Sequence, residues 1–262
     1  MKTITWLVLT TLLALCFSTD TGRATVLVFD QERDTVSQTI VGPTSSGGRL
    51  PPDYGDNVTS AAMSVLGGTF TYREEGEGFT PNVQLDVFAA GATPIEAHVR
   101  LWQNGYGDLV NVIYTEGAGT QGAPLLSVRL AVDPGYEVDL YGFDLAGFGT
   151  DYTIAGVSVF AGGTTLFSES DVMVEGDMSG PGHSTIVFAA PLSAPELLIE
   201  VDLSNLPAGI QDKIGLDNLR FGQTPRPVPE PATLLVFVMT VVAAAYYCRS
   251  KTPSIGAYGP RK

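Results

Sequence analysis

Two short stretches, Glu137-Val138-Asp139 and Glu200-Val201-Asp202, each put a pair of carboxylates on one face of an extended segment. A glycosidase built on a sandwich would use such acids, because retaining hydrolysis needs two carboxyl groups about 5 Å apart. It would also need a further glutamate along the strand. Tyr141 to Phe143 follow the first pair and Ser204 to Leu206 the second, so neither supplies it. Both pairs read as solvent-facing acids, and the chain is expected to be no enzyme.

The other chemically competent residues are sparse. His98 falls on the wet face of its strand, and His183 lies in the loop GDMSGPGHS with no cysteine or second histidine near it in sequence. No Gly-x-Ser-x-Gly elbow is present, and no glycine loop precedes a helix to cradle phosphate. Trp102, Tyr106, Tyr141, Phe143, Phe148 and Tyr152 could serve as stacking platforms for sugar. Trp102 falls on the wet side of the simple alternation. Equally, aromatic residues scattered over strands form core and cross-strand pairs.

Between Thr25 and Pro231 there are 27 acids against 8 bases, a formal charge of −19. So acidic a surface repels nucleic acid and anionic headgroups, and it suits divalent cations. Both cysteines, Cys16 and Cys248, lie in the terminal apolar segments, so no disulfide joins parts of the region between them. Its stability must come from a core, for which about 200 residues suffice.

The elements that would position these side chains follow a period of two. Val83 to Val87, Ile95 to Leu101, Leu126 to Val132 and Leu197 to Leu203 each alternate apolar with polar residues, as half-buried strands do. Shorter strands are expected at 25–29, 69–72, 109–114, 138–143, 154–160, 164–167, 185–188 and 213–221. Turn clusters such as Asp133-Pro134-Gly135 and Gly162-Gly163 separate them. No convincing amphipathic helix interrupts the series. The pattern predicts an all-β fold, an antiparallel β-sandwich of jelly-roll type.

In Lys213 to Phe221, KIGLDNLRF, Ile214 and Leu216 share one parity whereas Leu219 and Phe221 have the other. A bulge at Asp217-Asn218 would bring all four to one face.

Both ends carry address-like features. Lys2 precedes an apolar run from Ile4 to Phe17, and Gly22-Arg23-Ala24 offers small residues for cleavage after Ala24. Residues 1–24 are therefore expected to be a signal peptide, with an exported domain at 25–222 and a Pro-rich linker at 223–231. Ala232 to Cys248 is a run of 17 uncharged residues, about 26 Å long as a helix, and is expected to be a transmembrane segment. Residues 249–262 then form a cytoplasmic tail bearing Arg249, Lys251, Arg261 and Lys262 with no acid.

The motif Val228-Pro229-Glu230-Pro231, the apolar run from Ala232 and the basic residues Arg249 and Lys251 resemble the PEP-CTERM sorting signal. That resemblance implies recognition by an exosortase, a membrane-embedded cysteine protease that would cut near Pro-Glu-Pro, and a destination at the cell surface or in an exopolysaccharide matrix. The apolar run would anchor the chain in the membrane until that cut. VDLYGFDLAGF at 138–148 and KIGLDNLRF at 213–221 are similar to the late strands of galactose-binding-like carbohydrate-binding modules. Those modules imply a structural calcium held by an Asp at this point and an acid near the first strand. The corresponding residues here are Asp217 and Asp30, with Glu32 as a second choice for the latter; the alternative is that Asp217-Asn218 only shapes a turn.

Overall fold

The computed structural model describes residues 24–29, 32–33, 40–41, 48–50, 54–59, 62–65, 68–71, 78–89, 99–116 and 123–226. The strands are β1 Thr25–Leu27, β2 Glu32–Arg33, β3 Ile40–Val41, β4 Ala62–Val65, β5 Gly68–Thr71, β6 Val83–Ala89, β7 Val99–Trp102 and β8 Val112–Thr115. They continue with β9 Leu125–Val132, β10 Tyr136–Gly147, β11 Tyr152–Ala161, β12 Thr164–Val174, β13 Ser184–Ala194, β14 Glu196–Asp202 and β15 Ile214–Pro225. A 3-10 helix at Ala208–Lys213 leads into β15.

These strands build two large antiparallel sheets. The first runs β13-β10-β15-β8-β7, and β1 lies beside the later half of β15. The second runs β12-β11-β14-β9-β6, while β2–β3 and β4–β5 form separate two-stranded pairs. The alternation read from the sequence is realised in burial: Val83, Leu85, Val87 and Ala89 of β6, and Leu197, Ile199 and Val201 of β14, all point into one core. They meet Val138, Leu140, Phe143, Leu216, Leu219 and Phe221 of the first sheet. The fold is thus all-β and sandwich-like, the architecture that buries one apolar face of each sheet against the other.

β15 carries the expected irregularity. Gly142 pairs with Arg220 but Asp144 pairs with Asp217, so β15 gains one residue relative to β10 at this point. Asn218 takes φ +48, a left-handed conformation that Asn tolerates better than most residues. The extra residue restores parity, and Ile214, Leu216, Leu219 and Phe221 are all buried in the core.

Two expectations require correction. Residues 109–114 do not form one strand: β8 starts at Val112, and the preceding residues form a connection that folds back on the outside of the first sheet. Its Tyr106 and Leu109 pack with Val112 and Ala146 in a second small apolar cluster, flanked by Trp102 and Phe148. Burial in that cluster accounts for Leu109 and Val112, whereas Val110 is 62% exposed. Second, Asp139 is not a solvent-facing acid but is 8% exposed. Hydroxyls on the two adjacent strands enclose it, Ser193 Oγ donating at 2.5 Å and Thr224 Oγ1 donating to the other oxygen.

The chain divides into two units, Met1–Pro225 and Arg226–Lys262. Of the second, only Arg226 is among the described residues; the sorting motif at Val228 to Pro231, the expected membrane segment and the basic tail lie outside them. Ala24, the expected cleavage position, is the first described residue and is exposed. Among the described residues no helix is long and apolar enough to cross a membrane.

Candidate functional site

The connection from β7 to β8 contributes to two clefts. Gly105 and Gly107 let it turn, with φ of +84 and +63. A Cβ on Gly105 would sit 2.4 Å from the Phe148 ring, and one on Gly107 would sit 2.2 Å from the Gly182 carbonyl oxygen, so only glycine fits either place. The connection is pinned by Gly107 N donating to Asp177 O at 2.7 Å, Gly149 N to Gly105 O at 2.9 Å and Leu109 N to Tyr106 O at 3.1 Å.

The first cleft is aromatic. Trp102, Tyr106, Tyr114 and Phe148 line about 210 Å³ together with Glu116, Asp212 and Lys213. Trp102 stands edge-on to Tyr114 with centroids 6.3 Å apart, and Tyr106 edge-on to Phe148 at 5.4 Å. Trp102 Nε1 donates to Asn104 Oδ1 at 3.1 Å, and the Tyr106 hydroxyl donates to Asp212 O at 2.9 Å. Burial raises the hydroxyl of Tyr106 well above its ordinary value and that of Tyr114 to about 12. Both stay neutral donors at physiological pH.

The charged groups of this cleft are paired, Glu116 with Arg100 outside the lining and Asp212 with Lys213. Lys213 Nζ lies 5.0 Å from the Phe148 ring centroid and 3.3 Å from Asp212 Oδ2, and Arg100 Nε donates to Glu116 Oε2 at 2.5 Å. Asp212 Oδ1 is buried and accepts no hydrogen bond among the described residues. Aromatic walls edged by paired charges suit a polyhydroxylated ring with apolar C–H faces.

The second cleft is polar. Val28, Asp108, Leu109, Val110, Asn111, Asp217 and Asn218 line about 290 Å³. Asp217 is 4% exposed; burial pushes its carboxyl well above the usual range and nearby Asp144 adds to this, while a 2.7 Å bond from Asn218 N acts the other way. Asn111 is 7% exposed, and its Oδ1 accepts no hydrogen bond among the described residues. Asp108 is committed to His183, Oδ1 lying 2.7 Å from Nδ1, and that bond holds the Asp108 carboxyl below its usual range.

The donors at this cleft are hard oxygens, and a buried amide oxygen without a partner fits a calcium ligand. Among the described residues no three His, Cys, Asp or Glu side chains gather as a metal cluster. The calcium expected at Asp217 would therefore draw on amide and main-chain oxygens as well as carboxylates. Asp30 lies outside the described residues, as does Glu32's side chain, but Val28 of the same segment lines the cleft.

The sequence-derived platforms divide. Trp102, Tyr106 and Phe148 converge on the aromatic cleft. Phe143 belongs to the sandwich core, and half-buried Tyr152 packs against that core. Tyr141 lies elsewhere on the first sheet, beside Gly222. His98 lies outside the described residues. The reading of the sequence missed Tyr114, Glu116, Asp212, Lys213 and Asn111. They converge from separated segments and carry no common spacing to find them by.

No family model matches the chain, and no curated protein is similar to it. Solved structures that resemble it include two from one organism. The Stig cyclase Fisc from Fischerella sp. TAU, in complex with (3Z)-3-(1-methyl-2-pyrrolidinylidene)-3H-indole, is 16% identical over 56% of this chain and 86% of its own, with a TM-score of 0.34. A cyclase from Fischerella sp. TAU is 17% identical over 57% of this chain and 88% of its own, with a TM-score of 0.32.

Proposed function

We propose that the chain is an exported, non-enzymatic surface or extracellular-matrix protein whose sandwich domain binds glycan in the aromatic cleft. The observation that carries the binding reading is the convergence of Trp102, Tyr106, Tyr114 and Phe148 on one cleft beside the Asp212–Lys213 ion pair. The jelly-roll connectivity proposed for the domain is supported by the way β9 to β15 cross between the two sheets rather than filling one and then the other. A calcium at Asp217 and Asn111 would close the polar cleft and stabilise a domain without disulfides.

Export and sorting rest on the terminal motifs. Cleavage follows Ala24, and an exosortase acts near Val228-Pro229-Glu230-Pro231. The role of Asp139 as a clasp between strands argues against hydrolysis at the Glu137 pair, because that carboxylate is already engaged by two hydroxyls.

Glycan-array binding by the parent chain, lost in Trp102→Ala, is the result expected. Absence of binding to any glycan would remove the carbohydrate reading and leave a matrix protein without that ligand. Polysaccharide turnover abolished by Glu137→Gln or Glu200→Gln would instead establish a hydrolase. Mass spectrometry of the mature C-terminus tests sorting, and an intact terminus at Lys262 would overturn processing.

A further inference from the structure

The outer face of the first sheet continues past the aromatic cleft onto a pair of arginines. β7 puts Arg100 and Trp102 on that face, because Val99 and Leu101 are buried in the core. Arg100 stands opposite Tyr114 of β8 on one side and, through an isolated antiparallel bridge, opposite Arg49 on the other. Gly48 and Leu50 are buried, so the Arg49 side chain shares the outer face with Arg100. Leu101 N donates to Gly48 O at 2.8 Å, which makes Arg49 and Arg100 a non-hydrogen-bonded pair, the kind whose side chains lie closest. In this register Trp102 is the diagonal neighbour of Arg49, within reach of a side chain that long.

Like charges directly opposite one another repel. Glu116 is committed to Arg100 at 2.5 Å, whereas half-buried Arg49 is joined to no acid among the described residues and its Nε makes no hydrogen bond. With Lys213 and Asp212, three bases then stand against two acids around this cleft among the described residues, in a domain where acids outnumber bases 27 to 8.

We propose that the aromatic cleft takes an anionic sugar, its ring against Trp102 and its carboxylate or sulfate on the guanidinium end of Arg49. This rests on the glycan reading given above and narrows it. A planar fork of N–H donors matches either anion with two parallel bonds. The anion also screens Arg49 from Arg100, so binding relieves a repulsion that the unliganded domain carries. The net charge of the domain opposes an anion at long range, which slows encounter more than it weakens the contact itself.

The full-length chain is probed on an array of neutral, uronate-bearing and sulfated oligosaccharides, alongside Arg49→Gln, Arg49→Lys and Trp102→Ala. The expected result is binding confined to one or both anionic sets, weakened about tenfold in Arg49→Gln and in Trp102→Ala, and less in Arg49→Lys. Binding of the uronate set alone identifies a carboxylate, and of the sulfated set alone a sulfate ester. Without ligand, Arg49→Gln should melt no lower than the parent, because it removes a like-charge pair. Neutral sugars bound as strongly as anionic ones, or anionic binding unchanged in Arg49→Gln, would overturn the anionic assignment and leave the glycan reading standing. Anionic binding indifferent to Trp102→Ala would overturn it too, as charge attraction without the cleft. An Arg49→Gln chain that melts lower and loses all sets alike would make Arg49 a packing residue, with the same result. No binding of the parent to any set would overturn both readings.

Discussion

Asp144 and Asp217 stand opposite one another across the β10–β15 ladder, and Asn218 contacts both carboxylates. Its main-chain N–H donates to Asp217, and its side-chain amide donates to Asp144 at 2.8 Å. Arg220 Nη2 completes Asp144 at 2.9 Å. Two buried acids are thus treated differently: one has a cation and an amide, the other is left toward the polar cleft. Burial without a cation disfavours charge on Asp217.

The sign of the pH effect follows. In the metal-free chain the folded Asp217 carboxyl binds its proton more tightly than the unfolded one. Its stabilising contribution is full below the ordinary carboxylate value and is lost as pH rises through the raised folded value. Asp217→Asn in chelator at pH 7.5 is expected to melt higher than the parent by about 2–4 °C. In calcium the order should reverse, with the parent melting higher. Differential scanning calorimetry with and without chelator reads both, and a parent indifferent to chelator would refute the metal assignment.

Trp102→Ala removes a half-buried wall of the aromatic cleft rather than a member of the sandwich core. Glycan affinity should fall about tenfold, the scale of one aromatic contact. Its melting temperature should change little. A large loss of stability with unchanged affinity would mean that Trp102 serves packing alone.

Asp139→Ala strips the shared acceptor from Ser193 and Thr224. Leaving those hydroxyls without it should cost about 2 kcal/mol, or roughly 4–8 °C in melting temperature. Glycan binding at the distant aromatic cleft should persist. An unchanged denaturation curve would show that the clasp contributes nothing.

Gly105→Ala combines an unfavourable left-handed φ with a clash against the Phe148 ring. A destabilisation of about 1–3 kcal/mol is expected. Glycan affinity should drop with it, because Phe148 is itself a wall. Retention of parent-like affinity on the array would argue that this ring does not touch ligand.

Much of the sandwich was legible because half-buried strands must alternate, and β6, β9 and β14 do so in plain sequence. Even the bulge was readable, since Ile214 and Leu219 cannot both face a core without one. The clefts were not. Leu109 and Val112 looked like one strand because apolar residues that cover the outside of a sheet resemble those that fill its inside. Asp212 and Trp102 are 110 positions apart, and only the fold brings them to one cleft.

The position of β15 has a mechanical consequence. It is the last strand of its unit, and it lies between β10 on one side and β1 with β8 on the other. Tension applied to the chain beyond Pro225 would pull along β15 and parallel to its neighbours. The ladder bonds on both flanks would then be sheared together instead of being peeled one at a time, a geometry that resists force best where a protein is held by its C-terminal end.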